Sequence, residues 1–284
     1  MSFQPAFKQK ATPTPKMTMD MLAKLETLFI SKSWEIDTKN GMSLYNRFCR
    51  TLLKFDLEEQ LFLLELTQRF TKIKTDEYLP SFEELATVIR SDYPDSEIIF
   101  APCIPKADLG IIKSAHVTLY QMGGTLYNSD LRNCWIEKND IANKVEFIND
   151  KTIIVLVDDF IGTGETALKA VEYVNEVAGA KISNDRIKVM AIVVQCTGKQ
   201  ALREASIQVY SKYEFGKGIS DYFNGDKLIN AKAKMQNIES KLKVEKRFHF
   251  GYGNSEALVC MTRCPNNTFP VYWLGKKTAP YERR

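Results

Sequence analysis

A chain of 284 residues, 44% apolar and 26% charged, has the composition of an ordinary globular protein with material for one large or two small domains. Its formal charge of +4 is too small to indicate nucleic acid by itself, and no apolar run approaches the ~20 residues that cross a bilayer. Six cysteines lie scattered without a Cys-x-x-Cys pair, so neither zinc nor a disulfide framework is indicated, and the N-terminus lacks the apolar core of a signal peptide; a reducing cytoplasm is the expected location.

Residues 1–16, rich in Pro, Lys and Thr, offer little to bury and are expected to form a disordered tail. Residues 17–95 form a helical region, with Met21, Leu22, Leu25 and Leu28, then Leu44, Phe48, Leu52 and Phe55, then Leu61, Leu64 and Phe70 at helical spacing. Asp56 ahead of Leu57-Glu-Glu fits an N-cap, and Ser81 with Glu84 three residues on fits a capping box. This region is expected to carry partner contacts rather than chemistry.

Strands and helices alternate after Pro94, over the expected domain 96–284. Glu97–Pro102 is a short buried strand, residues 110–115 can be helical, Lys144–Ile148 is expected as a short strand and 152–157 as the central one. A helix from about Thr166 to Val177 ends at Gly179; Ile187–Gln195 is a strand, 200–205 a short helix and 208–210 a further strand. Strands separated by helices imply an α/β fold, a parallel sheet flanked by helices. The Lys-rich run 227–247 is foremost a solvated helix face, with contact to a polyanion as the minority reading.

The chemistry concentrates in Thr152-Ile-Ile-Val-Leu-Val-Asp-Asp-Phe-Ile-Gly-Thr-Gly-Glu-Thr166. A continuous β-branched run is the mark of a strand covered on both faces, and its carboxyl end is where an open α/β sheet places a ligand. Ile161, Gly162, Thr163, Gly164, Glu165 and Thr166 then form a turn into a helix, with amides and hydroxyls suited to an anion. Asp158 and Asp159 would repel a bare phosphate and must face another group. Ionised carboxylates only accept hydrogen bonds, so the two hydroxyls of a ribose are good partners. A ribose 5-phosphate, diol on the acids and phosphate on the loop, fits the spacing. A magnesium-binding acidic pair and an ordinary strand-helix turn remain alternatives, whereas a Walker loop is excluded because no Gly-Lys-Ser/Thr follows.

This stretch resembles the phosphoribosyl-pyrophosphate (PRPP) motif of type I phosphoribosyltransferases: apolar strand, acidic pair, two apolar residues, then small-Thr-Gly-any-Thr. Every defining position matches, with Glu165 at the variable place as an added negative charge. The match spans about fifteen of 284 residues. The resemblance implies a Mg2+-dependent transferase in which Asp158 and Asp159 are catalytic, holding the diol and a metal bound through PRPP, while the loop 161–166 holds the 5-phosphate. Lys106, in the loop after the first core strand, and Lys113 would meet the pyrophosphate. Arg132, in a stretch placed like a mobile catalytic loop, would neutralise its departure.

Near the C-terminus, Gly251 and Gly253 permit a tight turn, and Phe250 and Tyr252 are candidates to stack on a base or other acceptor, although such clusters are more often core. His116 and His249 are unremarkable. A Gly-Tyr-Gly segment followed by a strand and the run Pro265-Asn-Asn-Thr-Phe-Pro270 is similar to the end of phosphoribosyltransferase-like effectors encoded in bacterial conflict loci, including retron operons. With the central motif this resemblance covers roughly residues 95–275. It implies an effector in anti-phage defence. PRPP or a related ribose phosphate is the expected ligand, and no membrane is involved. A protein or nucleoprotein partner would bind through the N-terminal helices or residues 227–247; a homodimer is a further expectation. Two other readings stay open, a non-catalytic PRPP or nucleotide sensor and a scaffold within a nucleoprotein complex. The acceptor is not legible.

Overall fold

The computed structural model describes residues 17–126, 134–275, 278–281 and 283, arranged in two compact units. The first runs to Gln68 and takes in Gly275–Pro280; the second is Arg69–Leu274 with the chain from Tyr281 onward. The expected tail 1–16 and Arg132 lie outside the described residues.

Three capped helices build the first unit: α1 (Met19–Ser31), α2 (Leu44–Leu52) and α3 (Leu57–Gln68). Thr18 and Ser43 accept backbone N–H groups at the starts of α1 and α2, both at 3.2 Å. Asp56 caps α3 as expected, in a reciprocal box: it accepts the Glu59 N–H at 3.0 Å while Glu59 accepts the Asp56 N–H at 3.2 Å. The apolar face of α1 buries Met21, Leu25 and Phe29, and Phe29 meets the rings of Tyr45 and Phe48 edge-on.

The second unit opens with β1 (Thr71–Lys72) and α4 (Tyr78–Asp92). Ser81 does not begin a helix: it lies inside α4, donating its hydroxyl to the Glu77 carbonyl at 2.6 Å. The start is set earlier, where the Glu77 carboxylate accepts the Lys74 N–H at 2.9 Å. The expected boundary near residue 95 also falls earlier, at Arg69. The reason is burial, since Phe82, Leu85, Ala86 and Ile89 of α4 share one core with sheet residues Ile98, Phe100 and Val155.

That sheet alternates with helices: β2 (Glu97–Pro102), α5 (Ser114–Leu126), β3 (Cys134–Ile136), β4 (Thr152–Ile161), α6 (Glu165–Ala178), β5 (Ile187–Gln195), α7 (Cys196–Glu204) and β6 (Gln208–Phe215). Its order is β3-β2-β4-β5-β6, and every pairing is parallel. All nine residues of β5 are buried, as a central strand covered on both faces requires. The expected strand at Lys144–Ile148 is instead part of a 3-10 segment, Ile141–Phe147, whose start is held by Asp140 accepting the Ala142 N–H at 2.9 Å. The edge place belongs to β3, which the sequence reading left in a loop.

Beyond the sheet come α8 (Gly225–Lys241) and β7 (Val259–Cys260), the latter paired with β1. Between them Phe250, Gly251, Gly253, Asn254 and Glu256 all take positive φ, between 50° and 78°. Non-glycine residues resist that conformation by roughly 1 kcal/mol or more each, so other groups must hold it. Two buried acids do. Glu256 accepts the Ile219 and Ser220 N–H groups at 2.9 and 2.7 Å, and Glu239, on α8, accepts the Phe250 N–H at 2.7 Å. No helix among the described residues is long and apolar enough to cross a membrane.

Glu239 is 1% exposed, and its second carboxylate oxygen has no partner. Burial, offset only in part by the Phe250 N–H, pushes its carboxyl up to about 7. The folded state therefore binds more protons than the unfolded one between the ordinary glutamate range and pH 7, and stability from this group is lost as pH rises through that window. From pH 5 to pH 8 the wild type should lose about 2–3 kcal/mol relative to Glu239→Gln, at ~1.4 kcal/mol per pKa unit. Urea unfolding of both proteins across that range measures it; parallel pH profiles would refute the buried-acid assignment.

Candidate active site

β4 carries the acidic pair on its last turns and delivers the chain directly into the Gly/Thr turn. Up to Val157 its side chains alternate between two cores, with Ile154 and Leu156 on one side and Val155 and Val157 on the other. Alternation shifts at the acids, because Phe160 packs on the side of Val157 and Ile161 on the side of Leu156. Asp158 and Asp159 are thereby left half-buried, each with a separate set of partners.

Asp158 Oδ1 accepts from the Ser114 hydroxyl, at the start of α5, and from the Asp159 N–H, both at 2.8 Å. These donors favour the ionised form, but burial and then the charge of Asp159 outweigh them and push the Asp158 carboxyl well above the usual carboxylate range. Asp159 Oδ2 accepts from the Tyr78 hydroxyl at 3.1 Å, and Tyr78 Oη in turn accepts the Thr262 N–H at 2.9 Å. Burial, then the Asp159 charge, raise the Tyr78 phenol above its ordinary value, so it remains a proton donor. Burial and the Asp158 charge likewise raise the Cys103 thiol, which stays protonated and unreactive.

The turn after β4 is packed from two sides at van der Waals limits. A Cβ on Gly198, in α7, would stand 2.3 Å from the Gly162 carbonyl oxygen, and one on Gly162 would stand 2.4 Å from the Asn267 amide. Gly164 takes φ +84° as it enters α6. Gly253 lies against Thr163, where a Cβ would come within 2.6 Å of the threonine methyl. Only glycine permits backbone to approach backbone this closely.

A cleft of about 480 Å³ opens over this turn. Asp158, Ile161, Gly162, Thr163, Gly164, Glu165, Thr166 and Tyr252 all line it, so most of the residues singled out in the sequence converge. Asp159 sits beside it on Tyr78. Lys106 turns away and pairs with Glu176 on α6, while Lys113 pairs with Asp108 at 3.3 Å. Phe250 packs edge-on against Phe269, and the Tyr252 hydroxyl donates to Glu165 at 3.3 Å, beside the Gly/Thr turn. Asn266 and Asn267, legible only within the run Pro265–Pro270, also line the cleft, and sequence reading missed Tyr78, Ser114 and Lys169. Of these only Lys169 carried a local signal, being four residues after Glu165 on one helix face.

A family model, PRTase-CE, matches residues 49–283. The chain belongs to the PRTase-CE family. It is also similar to the xanthine phosphoribosyltransferase of Listeria innocua serovar 6a, 34% identical over 87 residues, which are 30% of this chain and 44% of that protein. The chain thus spans less than half the length of the curated relative it matches. Among solved structures it resembles orotate phosphoribosyltransferase from Aeropyrum pernix, at 12% identity and TM-score 0.29 over 57% of this chain and 73% of that one. A hypothetical protein from Neisseria gonorrhoeae with bound ppGpp matches at 12% identity and TM-score 0.36, over 59% and 97%. The PRTase-CE chain is accordingly phosphoribosyltransferase-like, with the acidic strand end and Gly/Thr turn on one parallel sheet.

The turn's dependence on close backbone approach is testable by volume alone. Gly198→Ala should destabilise the protein by about 1–3 kcal/mol, because the obstructing atom is a carbonyl that cannot swing aside. Gly124→Ala, in α5 with nothing near its Cβ position, should be neutral or slightly stabilising. Urea denaturation of both variants checks the contrast.

Proposed function

We propose that this protein binds PRPP and transfers its phosphoribosyl group. One observation carries the reading: Asp158, from the acidic pair at a strand end, and the Gly/Thr turn entering a helix line a single cleft of about 480 Å³. The turn from Ile161 to Thr166 takes the 5-phosphate on amides and hydroxyls. Asp158 and Asp159 accept from the ribose hydroxyls. Holding the sugar at both ends uses binding energy remote from C1 to position the reacting carbon. The C1–O bond to pyrophosphate then breaks and a bond from C1 to the acceptor forms. Positive charge grows on the ribose during this step, and two carboxylates that repel each other are well placed to stabilise it.

Magnesium fits this arrangement as a metal carried by the substrate. No group of three or more His, Cys, Asp or Glu side chains stands together among the described residues, so the chain offers no enclosed cage. Asp158 and Asp159 are the residues that would hold it, with oxygen ligands of the kind Mg2+ takes. Bound there, Mg2+ neutralises charge on the leaving pyrophosphate.

Among the described residues that line the cleft Lys169 is the only lysine or arginine, which supports a second reading, a sensor that holds PRPP without releasing pyrophosphate. The similarity of the Gly-Tyr-Gly and Pro-Asn-Asn-Thr segments to conflict-locus proteins supports placing either activity in anti-phage defence.

Purified protein with PRPP and Mg2+ should release pyrophosphate, alone or with a nucleobase acceptor. Asp158→Asn with Asp159→Asn should lower the rate by at least about 1,000-fold. Tyr78→Phe, which removes the donor that orients Asp159, should lower it by about tenfold through kcat rather than KM. Tight PRPP binding with no pyrophosphate release would select the sensor, and no PRPP binding at all would end both readings.

A further inference from the structure

The cleft contains a charge pair to which the reading above gives no role. Glu165 is the first residue of α6 and occupies the variable position of the phosphate loop, where a carboxylate opposes an incoming phosphate. Lys169, one turn later, holds Glu165 Oε1 at 2.7 Å. The Tyr252 hydroxyl, from a separate segment, reaches Glu165 Oε2 at 3.3 Å. All three line the cleft. The Lys169 hydrogen bond, then its charge, then the Tyr252 hydrogen bond keep the Glu165 carboxyl below the ordinary glutamate range.

Helix stability does not account for the trio. An exposed pair at this spacing contributes little and breaks easily, with both side chains here at least half exposed. A lysine that is loosely held, cleft-facing and one turn from a phosphate loop is suited to exchange one oxyanion for another. We propose that Glu165 stands in for the ligand's phosphate while the cleft is empty, and that Lys169 transfers from Glu165 to the 5-phosphate when a sugar phosphate binds. Tyr252 then keeps the released carboxylate turned toward the Gly251–Gly253 segment. The loop's added negative charge thus becomes a placeholder: it keeps Lys169 extended over the site and competes with weak anions for it. A terminal phosphate monoester, a dianion with three acceptor oxygens, wins that competition where a singly charged anion does not. This inference rests on the sugar-phosphate reading of the cleft.

Calorimetric titration with ribose 5-phosphate and Mg2+ tests it on the full chain. Lys169→Ala should weaken binding by about tenfold or more, because it removes a cation and leaves Glu165 facing the phosphate. Glu165→Ala should tighten binding by about threefold or more, since Lys169 no longer has a competing partner. The double variant should fall between the two, and thermal melting should confirm that all three are folded. Wild-type binding with both single variants within about twofold of it would overturn the exchange while leaving the sugar-phosphate site standing. Weaker binding in Glu165→Ala would also overturn it, by making Glu165 a ligand rather than a placeholder. Wild-type protein that binds no ribose 5-phosphate overturns both readings.

Discussion

Two like charges on consecutive residues are the constraint around which this site is built. Adjacent carboxylates at the end of a buried strand repel each other and lose hydration at once, an arrangement that costs stability unless each finds donors. The chain resolves this by sending them to different neighbours. Asp158 takes a serine at the start of α5 and a backbone amide, and Asp159 takes a tyrosine from α4 that is itself held by a backbone amide. Two successive helices, α4 before β2 and α5 after it, are thereby committed to one strand end. What remains is a pair still short of positive charge, with Asp158 lining a cleft.

The other half of the site depends on volume instead of charge. Gly162 and Gly198 touch backbone to backbone, while Gly253 and Asn267 press on the turn from a segment about ninety residues further along the chain. The strained C-terminal run is thus part of the cleft wall. Buried acids at 239 and 256 fix it through main-chain amides, so part of the cleft wall is held up by carboxylates turned to the backbone.

Much of this was legible from the sequence, for reasons that are local. A β-branched run, an acidic pair and a Gly/Thr turn carry their geometry with them, so β4, the turn and α6 fell where they were expected, and the turn residues do line one cleft. β2 and β5 match within their bounds for the same reason. Misreadings arose where a competing cap a few residues upstream, or a partner distant in sequence, decides. Ser81 looks like a cap until Glu77 starts the helix sooner, and 144–148 looks like a strand until Asp140 caps a turn there. Lys106, expected at the pyrophosphate, pairs with Glu176 on α6, a partner seventy residues away that its own surroundings do not announce. Tyr78 carried no signal at all, because its pairing with Asp159 spans eighty-one residues. Tyr252, expected to offer a flat ring, lines the cleft and directs its hydroxyl to Glu165, a contact across eighty-seven residues.

The helical first unit recruits residues 275–280, and the Thr278 carbonyl accepts the Thr51 hydroxyl at 3.0 Å. A fragment ending at Gln68 therefore lacks a piece of its own packing, and trimming the last ten residues damages the opposite end of the polypeptide. The two units are interleaved in covalent order. Expressing either alone takes a circularly permuted gene rather than a stop codon.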